Sequence, residues 1–259
     1  MRIVIKIGTS SLTYSTGRLN NRYLKELSGV ISDLKNMGHE IVLVSSGAMG
    51  VGLGKTALRR KPAETDKRRA LAAIGQSSLM SIYEELFGIY NHQVSQVLLT
   101  KAALHEEANR ADIAGAFSRM FEYKILPIVN ENDVVTSDAM KSIDSFGDND
   151  TLSAYVAEFI EADMLIILSD IDGLYDSDPR SNPNAEIIPI VTQIDEKIKK
   201  MASGAGTAQG TGGMATKLNA AAIVMANGIQ MIITNSNRPD NLYGIVAGER
   251  IGTLFRKII

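Results

Sequence analysis

The segment Gly210–Thr211–Gly212–Gly213–Met214–Ala215–Thr216–Lys217 leads into an alanine-rich run and is suited to holding a polyphosphate. Glycines let backbone N–H groups come close to phosphate oxygens, and a following helix N-terminus adds a favourable dipole. Lys217 would neutralise one oxygen. The match to a P-loop is partial, because Lys217 does not follow a glycine. A second candidate, Gly54–Lys55–Thr56, ends like a Walker A motif but has Met49 where the leading glycine belongs, and it is rejected. Asp148–Asn149–Asp150 precedes another run of helical period. One residue of the three suffices as an N-cap, which leaves a second acid to hold two lysines in position or to bind magnesium. His39, His92 and His105 show no i, i+4 pair and no carboxylate arrangement for a metal, and they read as surface or packing residues. No G-x-S-x-G marks a hydrolase serine.

The elements that must position these residues follow from hydrophobic pattern. Apolar runs at Ile3–Ile7, Ile41–Val44, Val94–Leu99, Ile125–Val129, Leu165–Leu168 and Met231–Thr234 read as strands covered on both faces. Runs of helical period at Tyr23–Asn36, Leu71–Phe87, Ala111–Phe121, Thr151–Phe159 and Ala215–Ala226 alternate with them. This rhythm predicts an α/β fold with a mostly parallel sheet and helices on both sides, whose right-handed crossovers bring the strand-end loops to one edge. Four of those loops are glycine-rich or small and polar: Gly8–Thr9–Ser10 beside Lys6, Ser45–Ser46–Gly47–Ala48–Met49–Gly50, Asn130–Glu131–Asn132–Asp133, and Ser169–Asp170 with Asp172 and Gly173. Ligands in open parallel sheets bind at that edge. One such loop would mean little, but four of them predict a binding site.

Bulk properties narrow the function. The chain of 259 residues carries 27 basic and 29 acidic side chains, a balance that argues against nucleic acid or acidic lipid as partner. The local exception, Arg59, Arg60, Lys61, Lys67, Arg68 and Arg69, reads chiefly as a solvated loop and helix start, and secondly as an anion-facing patch. The chain has no cysteine, so disulfides, thiolate zinc sites and cysteine nucleophiles are excluded together. The N-terminal apolar run is too short and too charged for a secretory segment or membrane span, so a cytoplasmic location is expected. The chain reads as one domain, residues 1–259, with a soft division near residue 165 and no linker or repeat.

Lys6–Ile7–Gly8–Thr9–Ser10, Val44–Ser45–Ser46–Gly47–Ala48, Val129–Asn130–Glu131–Asn132–Asp133, Gly147–Asp148–Asn149–Asp150, Ser169–Asp170–Ile171–Asp172–Gly173–Leu174–Tyr175, Asp178–Pro179–Arg180 and Gly210–Lys217, in this order, resemble the glutamate 5-kinases of the amino acid kinase superfamily. The resemblance runs from residue 3 to about residue 255. It implies a three-layer α/β/α sandwich that phosphorylates the γ-carboxylate of glutamate with ATP and Mg²⁺ in proline biosynthesis. The N-terminal half would hold the amino acid and the half beyond about residue 165 the nucleotide. It further implies that Lys6 and Lys217 stabilise the transferring phosphoryl group and that Asp150 orients them. Ser46, Gly47, Asp133 and Asn149 would bind glutamate, whereas Lys6, Ser169, Asp170, Thr211, Gly212, Gly213, Met214, Ala215, Thr216 and Lys217 would bind ATP. Proline as a feedback inhibitor and a homodimer or homotetramer are expected on the same ground. Many such enzymes carry a C-terminal PUA domain, which is not expected in a chain ending at Ile259. Other readings are a kinase of the same fold acting on N-acetylglutamate, aspartate, carbamate or a nucleoside monophosphate, and a non-catalytic nucleotide-binding protein. Asp133 favours an acceptor with a free ammonium group, and the presence of both lysines favours catalysis.

Overall fold

The computed structural model describes residues 1–14, 16, 18–56, 58, 60–135, 146, 148–202 and 213–257. The six apolar runs form strands β1 (Arg2–Ile7), β2 (Glu40–Ser45), β3 (Val94–Leu99), β4 (Leu126–Glu131), β5 (Met164–Ser169) and β7 (Gln230–Asn235), each within about a residue or two of its expected bounds. Two short strands that the apolar pattern does not announce, β6 (Ile190–Val191) and β8 (Thr253–Phe255), complete the set. Helices α1 (Thr9–Leu12), α2 (Asn21–Asn36), α3 (Ala48–Lys55) and α4 (Thr65–Gly88) lie in the first part of the chain. They are followed by α5 (Lys101–His105), α6 (Glu107–Glu122), α7 (Asn149–Phe159), α8 (Glu196–Ala202), α9 (Met214–Ala226) and α10 (Asn241–Val246). The rejected Gly54–Lys55–Thr56 sits at the C-terminal end of α3, where backbone carbonyls rather than amides are exposed and a phosphate would be repelled.

Among the described residues the strands form one sheet in the order β3-β4-β2-β1-β5-β7-β8-β6. Every neighbouring pair is parallel except β7 with β8. Strand parity sorts the core into two layers. Ile3, Ile5 and Ile7 pack with α2, α3, α4 and α10, whereas Val4 packs on the opposite face with α6, α7 and α9. Lys6 has the parity of Val4, so the alternation of β1 aims it at α7 and α9. The sheet edge β3 departs from the expectation of double coverage. Gln96 and Leu98 are exposed there, because an edge strand has no neighbour on one side and only partial cover above it.

Helix α4 begins at Thr65, earlier than the apolar periodicity indicates, because Lys67, Arg68 and Arg69 lie within its first turns. Lys67 pairs with Glu64 at 2.7 Å on the surface, as the solvated reading expects. Helices α3 and α4 touch backbone to backbone: a methyl group on Gly75 would lie 1.7 Å from the Ala48 carbonyl oxygen. That contact brings the middle of α4 next to the N-terminal turn of α3.

Candidate active site

The carboxyl ends of β1, β2, β4 and β5 open on a cavity of about 390 Å³. It lies where the chain order reverses on either side of β1, the position at which open α/β sheets bind ligands. Lys6, Ser46, Gly47, Asp133, Asn149, Asp150, Ser169, Asp170 and Lys217 all line it, so nine sequence-predicted residues from distant segments meet in one place. Lys61, from the basic segment, also lines it. Gly213 is half-buried, Met214 is buried in the core, Ala215 is exposed, and Thr216 reaches the site through Asp150. Thr211 and Gly212 lie outside the described residues, as does Gly147. His39 contacts the Met1 amino group and His92 the Ser32 carbonyl, both away from the cavity.

The floor is an ion cluster. Asp150 is fully buried in the first turn of α7, with Lys6 Nζ 2.6 Å from Oδ1 and Lys217 Nζ 3.1 Å from Oδ2. The Lys6 contact is an ion pair rather than a well-directed hydrogen bond. Thr216 Oγ1 lies 2.8 Å from Oδ2 and 2.8 Å from the Gly213 carbonyl, and its single proton goes to the carboxylate, the stronger acceptor. Both lysines are themselves buried. Burial alone would push the Asp150 carboxyl up, but the close charges of Lys6 and Lys217, with the hydrogen bond from Thr216, outweigh it and hold the group at about 2. Two cations share one anion, so the cluster retains one positive charge in a partly dehydrated cavity. Such an arrangement stabilises negative charge that develops on a transferring group.

The triplet Asp148–Asn149–Asp150 divides its work. Asp148 is the N-cap of α7, its carboxylate accepting from Thr151 N at 2.9 Å and Thr151 Oγ1 at 3.1 Å. Burial and the neighbouring Asp150 charge outweigh those hydrogen bonds and push Asp148 up. Asn149 Nδ2 donates to Ser46 Oγ at 2.9 Å and to Asn130 Oδ1 at 2.9 Å. Asn130 Nδ2 in turn donates to Gln76 Oε1 at 2.9 Å. Gln76 was not legible as a site residue, since an amide in a helix interior carries no distinctive spacing. Asn130 is visible only as a member of its strand-end motif.

The helix ends facing the cavity are not alike. In α7 the N-terminal amides have a carboxylate cap, whereas the N-cap residues of α3 and α9 are Gly47 and Gly213, which make no side-chain cap. Gly47 has φ of +99°, a left-handed conformation that glycine adopts without strain. Uncapped N-terminal amides are favourable contacts for carboxylate and phosphate groups. At the rim Asp133 is exposed, and Asp170 lies 3.7 Å from Arg180.

Helices on both faces of a mostly parallel sheet, with Lys6 from the end of β1 and Lys217 from the first turn of α9 meeting in one cavity, make a three-layer α/β/α protein suited to binding small anionic molecules. The chain belongs to the amino acid kinase family, whose model matches residues 1–235. It is 51% identical over 254 residues to the glutamate 5-kinase of Clostridium perfringens, covering 98% of this chain and 94% of that one. It is 46% identical to the glutamate 5-kinase of Ligilactobacillus salivarius, covering 99% and 96% of the two chains. The glutamate 5-kinase of Listeria monocytogenes is 45% identical, with 98% and 92% covered. Among solved structures, an isopentenyl phosphate kinase superposes with a TM-score of 0.70 at 16% identity, covering 98% of this chain and 100% of that one. The UMP kinase of Bacillus anthracis gives 0.65 at 15%, covering 100% and 96%. At such identities these two structures establish the fold alone.

Proposed function

We propose that the chain transfers the γ-phosphoryl group of ATP to the γ-carboxylate of L-glutamate, forming L-glutamyl 5-phosphate and ADP at the start of proline biosynthesis. The observation that carries this reading is the buried Lys6–Asp150–Lys217 cluster at the cavity floor, in a chain similar over nearly its whole length to glutamate 5-kinases. A γ-carboxylate oxygen attacks the γ-phosphorus, the bond from that phosphorus to the β,γ-bridging oxygen breaks, and ADP leaves with the electron pair. No proton moves in this exchange. Free glutamate has a side-chain pKa of about 4.3, so the nucleophile is already ionised at neutral pH and no general base is needed. The barrier lies in bringing two anions together and in the charge on the transferring group, which is what two positioned ammonium groups relieve.

In this reading Ser46, Gly47 and the uncapped amides of α3 receive a carboxylate, Asn149 orients it, and Asp133 takes the α-ammonium group. Ser169, Asp170 and the segment from Thr211 to Lys217 take the nucleotide, so the N-terminal half serves the amino acid and the half beyond about residue 165 serves ATP within one domain. Among the described residues no cluster of three His, Cys, Asp or Glu side chains could cage a metal. Mg²⁺ would enter on the nucleotide and would neutralise phosphate charge. Proline as feedback inhibitor, assembly into a homo-oligomer and a cytoplasmic location accompany the same reading. No helix among the described residues is long and apolar enough to cross a membrane.

The test is ADP release with a panel of acceptors, with hydroxylamine trapping of the acyl phosphate. L-Glutamate should give hydroxamate, and aspartate, one methylene shorter, little. N-Acetylglutamate lacks the ammonium partner of Asp133. Because Asp133 is exposed at the rim, kcat/KM should fall about 100-fold rather than more. Equal values for glutamate and N-acetylglutamate would move the chain to a sister activity.

A further inference from the structure

We infer that Gln76, inside α4, is a positioning residue that sets the hydrogen-bond polarity of the amino-acid side of the cavity. The inference rests on the reading that glutamate binds there. Each amide of the chain Gln76–Asn130–Asn149 has one donor end and one acceptor end, so the direction chosen at one member is imposed on the next. Gln76 presents Oε1 to Asn130 Nδ2 at 2.9 Å. Asn130 must then present Oδ1 to Asn149, and Asn149 must turn its Nδ2 toward both Asn130 and Ser46, at 2.9 Å each. Two consequences follow. Ser46 Oγ accepts from Asn149, so its own proton is left to donate, and Asn149 Oδ1 is left to accept.

A hydroxyl donor beside an amide acceptor matches an amino acid, whose carboxylate wants the first and whose ammonium group wants the second. The opposite polarity of the same three amides would turn Asn149 Oδ1 toward Asn130 and weaken its hold on Ser46. Asn130 is buried, so an unpartnered Nδ2 is costly and its amide follows whatever acceptor it can find. Position 76 can supply that acceptor because Gly75 allows α4 to lie against the backbone of α3, where any side chain would meet the Ala48 carbonyl at 1.7 Å. The close helix contact and the amide chain are therefore one device. The glycine brings the glutamine in, and the glutamine orients Asn130 and Asn149. None of these side chains needs to touch the phosphoryl group, so the device acts on the amino acid and not on ATP.

The experiment compares steady-state kinetics of the unaltered chain, Gln76→Met, Asn149→Ala and the double variant, with Gln76→Leu as a second replacement. Methionine keeps the length and helix preference of glutamine but lacks a strong acceptor. Gln76→Met should raise glutamate KM about tenfold, the effect of one mis-set hydrogen bond, with ATP KM within about twofold and the melting temperature near that of the parent. In the Asn149→Ala background the same replacement should change glutamate KM less than about twofold, because its route to the substrate is gone. An unchanged glutamate KM in folded Gln76→Met and Gln76→Leu, equal rises in both KM values, or full additivity in the double variant would overturn the inference. If the unaltered chain does not turn over glutamate at all, the substrate assignment fails instead, and the two failures are told apart by that control.

Discussion

Two acid–base clusters border the same cavity and differ in burial more than in composition. At the floor, Asp150 has no exposure and holds Lys6 at 2.6 Å and Lys217 at 3.1 Å. At the rim, Asp170 stands 3.7 Å from Arg180 with 44% and 47% of their side chains exposed. Water competes for the rim pair at little cost, so that pair is replaceable. At the floor the desolvation of three charges has already occurred, and removing the one anion leaves two cations without compensation. Aspartates two residues apart show the same contrast in miniature. Asp148 is pushed up chiefly by burial, while Asp150 is pulled to about 2 because its two cations outweigh a burial cost of the same kind.

The comparison is broken most severely at Asp150. Asp150→Asn keeps the shape and does not touch the helix cap, which belongs to Asp148. It should nevertheless cost about 3–5 kcal/mol of stability, because Lys6 and Lys217 then face each other in a buried site. The kcat should fall a hundredfold or more as the lysines lose their placement. Urea unfolding and initial rates on one preparation measure both. More than about a tenth of the parental kcat would mean that the phosphoryl charge is stabilised elsewhere.

Acid titration sharpens the comparison at intermediate magnitude. The folded Asp150 carboxyl, at about 2, lies below its ordinary 3.8. On acidification the unfolded chain therefore takes up the proton first. The difference amounts to about 2 kcal/mol of stability, present above pH 4 and lost as pH falls toward 2. Asp148, raised by folding, acts with the opposite sign, its penalty lifting as the pH drops through its folded value. The stability curve of Asp150→Asn should be flatter than that of the parent between pH 4 and 2. Parallel curves would show that Asp150 is not held low.

The smallest effect belongs to the rim. Arg180→Ala should change stability by less than about 1 kcal/mol, and by still less at high salt, since half-exposed pairs are screened. A loss comparable to that of Asp150→Asn would erase the distinction between floor and rim.

Much of this was readable from residue types. Continuous apolar runs marked β1, β2, β4, β5 and β7 because strands covered on both faces need no alternation, and glycine-rich strand ends marked the site. Strand β3 was expected on the same ground, but it lies at the sheet edge with Gln96 and Leu98 exposed. The triplet 148–150 announced a cap with an acid to spare, though not which acid did which. Strands β6 and β8, of two and three residues, were not visible because such short runs have no period to detect. Helix α3 was missed because its glycine-rich start reads as a loop.

Chain order and apolar parity are local properties, and they suffice to specify a parallel sheet with Lys6 on one face and Ile5 and Ile7 on the other. Which groups meet across the sheet is not local. Lys217 and Asp150 are 67 residues apart and Asn130 and Gln76 are 54 apart, yet each pair is in hydrogen-bond contact. Crossovers bring the carboxyl end of β1 and the starts of α7 and α9 to one point, where burial turns three ordinary charges into a cluster. The glycine contact between α3 and α4 does the same for an amide that no spacing rule distinguishes from its helical neighbours. Pairing and burial depend on the packed whole, because desolvation and hydrogen-bond direction exist only once the opposing surface is in place.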